Sequence, residues 1–364
     1  MKEKVIAFPQ LGDYAEPLKR FMHEITGLKV LNMPPITKKT IAIGSKYSPD
    51  SVCVPFKYIL GNFIESIEQG ANVLFHAGGG CRYRYYAEVQ ETILKDLGYD
   101  FEMIQVYQED GLKPQEAFQN LKKLNPELTV KQVIKKGIYT FFYITYLDKL
   151  DYLIRSRIGF EVVENSFLSL KENFIKEANT TPTLHQLKKI YHKYKKQIKK
   201  LKIKKPKHCL KVGIIGELYT SMEPFSNYDL EKLLAKNHIE IKRFTNLSYL
   251  LWQKKLLLPY MKWKVRKYCR YTLGADGLDN VYRVLWLKKK KYDGIIHIKP
   301  SGCTPEIGAM PIIMRVAKKK KMPIIFLSFD EQTGIEGLNT RIEAFYDLLK
   351  IRKDEKKHES LFRN

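Results

Sequence analysis

The sequence predicts an α/β protein with two units, each built on a parallel sheet, and a helical segment between them. Three observations carry this. Strand-like runs alternate with helical ones in both outer thirds of the chain, while the middle reads as helix throughout. One phrase, a strand running through His into a small-residue turn and then Cys, occurs once in each outer third, as ANVLFHAGGGC and YDGIIHIKPSGC. At 364 residues the chain also exceeds what one core usually serves. The expected boundaries are 1–112 for the first unit, 113–205 for the helical segment and 206–364 for the second unit.

In the first unit VIAFPQ (5–10) reads as a strand and residues 15–26 as a helix. LKVLNMP (28–34) and TIAIGS (40–45) read as short strands bounded by Pro and Gly. Residues 55–70 place Phe56, Ile59, Leu60, Phe63, Ile64 and Ile67 on one face at i, i+3, i+4 spacing, which is a helix. A strand at 71–77, a helix at 86–97 and a strand at 100–106 complete a βαβ series, hence a parallel sheet covered by helices on both faces. The last helix of the middle segment carries one apolar stripe (Leu184, Leu187, Ile190, Tyr194, Ile198, Leu201) among lysines, the pattern of a solvated helix packing one face. After IKKPKH, strands are expected at 210–216, 239–244, 293–299 and 323–329. Helices are expected at 227–236, 247–271, 278–290, 305–320 and 337–353.

Composition excludes several classes. Five cysteines with no close pair do not form a secreted disulfide framework, and no CxxC knuckle suggests a zinc site. The N-terminus runs from charges straight into a strand, unlike a signal peptide. The most apolar stretch, GIYTFFYITYL, is followed at once by Asp148 and Lys149, so no spanning helix and no membrane partner are expected, and the chain reads as cytoplasmic. The net charge of +25 comes from 51 Lys and only 13 Arg, although Arg is the usual reader of bases and phosphates. Nucleic acid is therefore disfavoured; the charge suits an anionic ligand such as a phosphorylated coenzyme, or an acidic partner protein.

Three cysteines stand out: Cys53 in SPDSVCVPFK, Cys81 in HAGGGCRYRYY and Cys303 in KPSGCTPEIG. Cys53 and Cys303 each lie two residues before a Pro that suits the first turn of a helix. Three glycines before Cys81 let the backbone approach a bulky group. Ligand sites gather at the carboxyl ends of strands in open α/β sheets, and the repeated phrase puts Cys81 and Cys303 there. The three thiolates suit a metal cluster in a cleft between the two units, with one metal position left open. A buried small hydrophobe is the alternative reading for each. Cys209 and Cys269 lack the setting and read as packing. His76 and His297 lead into the turns as core histidines or catalytic groups. Glu217, after GIIG, reads as a helix-pairing carboxylate or a substrate-orienting group, and Arg82 and Arg84 as phosphate or carboxylate contacts or surface residues.

These motifs resemble the 2-hydroxyacyl-CoA dehydratase D-component family, in its acyl-CoA dehydratase activase-related or CoA protein activase branch. The stretches that carry the resemblance are 43–72, 76–102, 211–227, DGIIHIKPSGCTPE (293–306) and SFDEQTGIEGLNTRIEAF (328–345). The resemblance implies two Rossmann-like domains with a helical insertion. It implies a four-iron four-sulfur (4Fe-4S) cluster with an open iron site, held by Cys53, Cys81 and Cys303. It implies as partners a separate ATP-dependent iron–sulfur activase, a second dehydratase-like subunit or a second copy, and an acyl-CoA substrate. The implied reaction delivers one electron to a thioester carbonyl, and the resulting ketyl radical expels a hydroxyl group. Glu217, His76 and His297 are the candidate catalytic residues. The alternative is an iron–sulfur electron-transfer or cluster-carrier protein with no acyl-CoA substrate of its own.

Overall fold

The computed structural model describes residues 3–108, 111–112 and 114–361. Lys113, the first residue of the expected helical segment, lies outside them. The chain forms two compact units, Met1–Asp148 with Glu172–Lys193, and Lys149–Lys171 with Tyr194–Asn364.

The first unit holds β1 (Val5–Ala7), β2 (Lys29–Val30), β3 (Val73–His76) and β4 (Glu102–Gln105), parallel throughout and ordered β2-β1-β3-β4. The helices α1 (Ala15–Thr26), α2 (Lys38–Tyr47), α3 (Val54–Glu68) and α4 (Tyr86–Asp96) connect them. A short antiparallel ribbon of β5 (Tyr107–Gln108) and β6 (Gly111–Leu112) follows, then α5 (Pro114–Leu124). Ile6, Val30, Val73, Phe75 and Ile104 of the sheet pack with Met22 and Ile25 of α1 and Leu124 of α5 in one core cluster. The helices α6 (Val130–Arg155), α7 (Ser166–Thr180) and α8 (Leu184–Lys200) come next, and the division between units falls inside each of them.

The strand expected at TIAIGS is a helix, α2. Thr40, Ile41 and Ile43 have the β-branched look of a strand, but two local features overrule it. Thr37 and Thr40 form a reciprocal capping box: Thr37 Oγ1 accepts the Thr40 N–H at 3.3 Å and Thr40 Oγ1 accepts the Thr37 N–H at 3.0 Å. Gly44 and Gly61 then let α2 and α3 touch backbone to backbone. A Cβ on Gly44 would overlap the Lys57 carbonyl oxygen, and one on Gly61 would overlap that of Thr40. The glycine taken for a strand boundary is a helix-crossing point.

The second unit holds β7 (Lys211–Gly216), β8 (Glu240–Arg243), β9 (Gly294–Pro300) and β10 (Ile324–Phe329), parallel and ordered β8-β7-β9-β10. Side chains alternate across this sheet. Val212, Ile214, Ile296 and Ile298 pack against α10 (Leu230–Lys236) and α14 (Ile335–Leu361). Ile215 and Ile295 pack against α11 (Lys254–Val265), α12 (Gly277–Lys289) and α13 (Thr304–Lys319). A short α9 (Leu218–Met222) follows β7, and a π-helical turn, Tyr249–Gln253, leads into α11.

The strands β7, β8, β9 and β10 thus stand in the same order as β1, β2, β3 and β4. Val73 pairs with Ile6 of β1 and Gly294 with Val212 of β7. Three residues beyond those pairings come His76 and His297, each 0% exposed. These are two Rossmann-like α/β units, and the short repeat seen in the sequence marks equivalent strands.

Candidate functional site

In the first unit Cys53 and Cys81 open helical segments. Cys53 is the residue before α3, extended, with Pro55 in the first turn. Cys81 is extended and precedes a 3₁₀ turn, Arg82–Tyr85, that runs into α4. Both cysteines are half-buried. Tyr86 joins their surroundings: its hydroxyl lies 2.7 Å from Cys53 Sγ. Burial pushes the Tyr86 phenol far above its ordinary range, and Cys53 and Cys81 push it the same way against the opposing charge of Arg82. The phenol therefore keeps its proton and is a donor for a thiolate at Cys53.

His76 ends β3 beneath the glycine turn. Its Nδ1 accepts the Gly78 N–H at 3.0 Å, and its buried Nε2 has no hydrogen-bond partner among the described residues. Burial lowers its pKa to about 4, so the ring is neutral at pH 7, with the remaining proton on Nε2. Aromatic rings continue from it: Tyr83 at 5.1 Å from His76, Tyr86 at 5.1 Å from Tyr83, and Phe56 at 4.8 Å from Tyr86. Gly79 permits this stack, since a Cβ there would meet the Tyr83 ring at 2.9 Å. Arg82 is exposed.

In the second unit Cys303 is 6% exposed and precedes α13 in extended backbone, with Pro305 in the first turn. Glu306, one residue on, is 1% exposed and turns back to β9. Its Oε2 lies 2.6 Å from His297 Nε2, and its Oε1 accepts from Asn280 Nδ2 at 2.8 Å. His297 Nδ1 is buried with no hydrogen-bond partner among the described residues. Asn280 also accepts the N–H of Gly216 and a bond from Arg283 Nη1, tying the end of β7 to α12. Asn62 of α3 does the same for the first unit, accepting the Gln10 N–H and donating to the Pro34 carbonyl. Lys299, 7% exposed, is held below the ordinary lysine range by burial, while Cys303, Glu306 and Asp330 act in the opposite sense.

Glu217 is the N-cap of α9. Its Oε1 accepts the Tyr219 N–H at 2.9 Å; its Oε2 accepts the Thr220 N–H at 2.8 Å and the Thr220 hydroxyl at 2.9 Å. Burial nevertheless raises its pKa to about 7 against those bonds, helped by Asp276. Cys209 is buried ahead of β7, and Cys269 sits in the α11–α12 core with Sγ donating to the Tyr271 carbonyl. A cavity of about 220 Å³ opens in the first unit beside Gln10, Asp13, Glu16, Lys19 and Asn32, away from the marked cysteines.

Cys53 and Cys81 thus share one neighbourhood, as do His297 and Cys303 through Glu306. Within neither unit do three His, Cys, Asp or Glu side chains converge as a metal site, among the described residues. The sequence reading missed Tyr86, Asn62, Asn280, Lys299 and Glu306. The run of aromatics after Cys81 and the acid in CTPE were their only local signals.

The second site lies inside a stretch that can be compared with known proteins. Residues 268–349 match the family model of 2-hydroxyglutaryl-CoA dehydratase, D-component. The matched stretch spans α12, β9, α13 and β10 and holds His297, Cys303 and Glu306. Over these residues the chain is similar to the D-component family, as the resemblance read from the sequence expected. The motifs around Cys53, Cys81 and Glu217 lie outside that stretch. No curated protein matched the chain.

Proposed function

We propose that the chain is the iron–sulfur component of a 2-hydroxyacyl-CoA dehydratase-like system, with Cys53, Cys81 and Cys303 as ligands of a 4Fe-4S cluster. The observation that carries it is positional: Cys81 and Cys303 follow equivalent strands of equivalent sheets, and Cys303 belongs to the D-component match. The donor set fits the group. Three thiols at helical starts suit an anionic cluster, and the Tyr86 hydroxyl supplies the hydrogen bond to sulfur that such ligands usually receive.

When bound, the cluster would supply low-potential one-electron chemistry and an open iron as Lewis acid. The chain's own groups do the rest. Tyr86 orients Cys53 and donates to its sulfur. Glu306 fixes the His297 ring and leaves Nδ1 as its remaining polar atom. Neutral His76 offers an Nε2–H. Glu217, with a pKa of about 7, can hold or release a proton near neutrality, which suits the departure of a hydroxyl group. Activation by a separate ATP-hydrolysing iron–sulfur protein and a ketyl intermediate on the substrate are part of this reading.

Anaerobic purification should give a brown protein with about four irons per chain, and Cys81→Ser and Cys303→Ser should each lower the iron content. An iron-free product after anaerobic reconstitution, or unchanged iron in Cys81→Ser, would overturn the reading. Titration of the loaded protein with acyl-CoA thioesters, followed by electron paramagnetic resonance, should change the cluster signal. A silent titration would instead assign the chain as an electron carrier.

A further inference from the structure

We infer that the outward face of α11 is a peripheral docking surface for an anionic lipid bilayer. Met261 and Val265 turn inward, 2% and 0% exposed, and pack in the core cluster with Leu278 and Val281. The opposite face carries Leu256, Tyr260 and Trp263 at i, i+4 and i+7, exposed by 68%, 48% and 52%. Trp252, on the turn ahead of the helix, and Leu257 are exposed as well. An amphipathic helix normally shows water its polar side; this one shows a row of large apolar side chains.

The charge around that row selects the occupant. Residues 241–275 contain nine Lys or Arg and no Asp or Glu. Lys255, Lys262, Lys264 and Arg266 are exposed beside the apolar row. Lys264 Nζ lies 4.3 Å from the centre of the Trp263 ring and Arg266 Cζ 5.2 Å from it. Cations held against an exposed tryptophan call for an apolar surface bearing negative charge. Protein–protein interfaces are depleted in Lys, whereas helices lying in a bilayer surface combine Trp and Leu with flanking Lys, whose heads reach the phosphates. A protein of net charge +25 adds long-range attraction. Among the described residues no helix is long and apolar enough to cross a membrane. The expectation of no membrane partner rested on that criterion, and a helix lying on the surface does not need to meet it.

The test uses the full chain and two vesicle preparations, phosphatidylcholine alone and phosphatidylcholine mixed with phosphatidylglycerol. The chain should float with the mixed vesicles only, and added salt should weaken the association. Brominated lipid should quench tryptophan fluorescence in the mixed vesicles. The double variant Leu256→Asp/Trp263→Asp should lose roughly tenfold or more in vesicle association. Lys262→Glu/Lys264→Glu should lose it too while leaving the apolar row intact, so a folding defect in the first pair leaves the surface testable. Absence of flotation with anionic vesicles, or flotation unchanged in both variants, would overturn the inference. So would self-association abolished by the variants without vesicle binding, because the face would then belong to a second copy.

Discussion

His76 and His297 stand at the same step of equivalent strands and each has an aromatic ring 5.1 Å away, yet His76 Nε2 has no hydrogen-bond partner among the described residues, whereas His297 Nε2 is tied to the Glu306 carboxylate. The difference begins just after each cysteine. Cys303 runs straight into α13, whose first turn carries Glu306 back to β9. Cys81 runs into a 3₁₀ turn first, which brings Tyr83 and then Tyr86 to the corresponding region. One scaffold thus presents a buried imidazole twice, and the start of the following helix decides whether a carboxylate reaches it. The helix pairs before these strands diverge as well: α2 and α3 touch through glycine backbones, while α11 and α12 meet through side chains.

The sharpest way to break the comparison is at those helix pairs. Gly61→Ala should remove most of the folded first unit, a cost of roughly 3–5 kcal/mol, because both sides of the clash are backbone. Val281→Ala in α12 should cost only about 2 kcal/mol, since a side-chain contact can relax. Urea midpoints of the two variants give the ranking, and equal losses would refute it.

Next come the two asparagines. Asn280→Ala strands the Gly216 N–H, a Glu306 oxygen and an Arg283 donor together, so it should cost about 4 kcal/mol. Asn62→Ala strands only the Gln10 N–H and the Pro34 carbonyl in its unit and should cost about 2 kcal/mol. Thermal denaturation of both, read alongside the parent, decides whether the second unit leans harder on its clamp.

The pH responses should have opposite signs. His76 has its pKa lowered from 6.5 to about 4, so its contribution to stability is present above pH 6.5 and lost as pH falls through 4. Glu217 is raised from 4.5 to about 7, so its contribution is present below pH 4.5 and lost as pH rises through 7. His76→Gln should flatten the acid limb of a melting-temperature profile, and Glu217→Gln should flatten the limb between pH 4.5 and 7. The smallest effect expected is that of Tyr86→Phe. It should leave iron content unchanged and lower the reduction potential by on the order of tens of millivolts, through loss of one hydrogen bond to sulfur. An unaltered potential would remove Tyr86 from the account.

Much of the fold was legible because buried parallel strands announce themselves: KVGIIG, GIIHIKP and IIFLSF are near-continuous apolar runs, and each is a strand. TIAIGS looked the same over a shorter span, and a capping box with a glycine crossing, visible only in three dimensions, made it helical. The cysteines and histidines were legible because Gly and Pro flank them. Their partners were not. Glu306 and Asn280 look like ordinary helical polar residues until β7, β9 and α13 converge, and Tyr86 looks like one more tyrosine in an aromatic run.

The division of the chain inside α6, α7 and α8 matters when the protein is made on a ribosome. The first unit includes residues up to Lys193, so its full set of contacts waits until that residue has been made. By then Lys149–Lys171, which belongs to the second unit, has already emerged. In it Arg155 waits for Glu231, a partner still to be synthesised. During that interval Asp151, one turn before Arg155 on the same helix and 2.9 Å from it in the finished protein, is the carboxylate nearest to hand for that guanidinium. Synthesis of the two units is thereby staggered, and along the chain the segment that belongs to the later one is made between pieces of the earlier one.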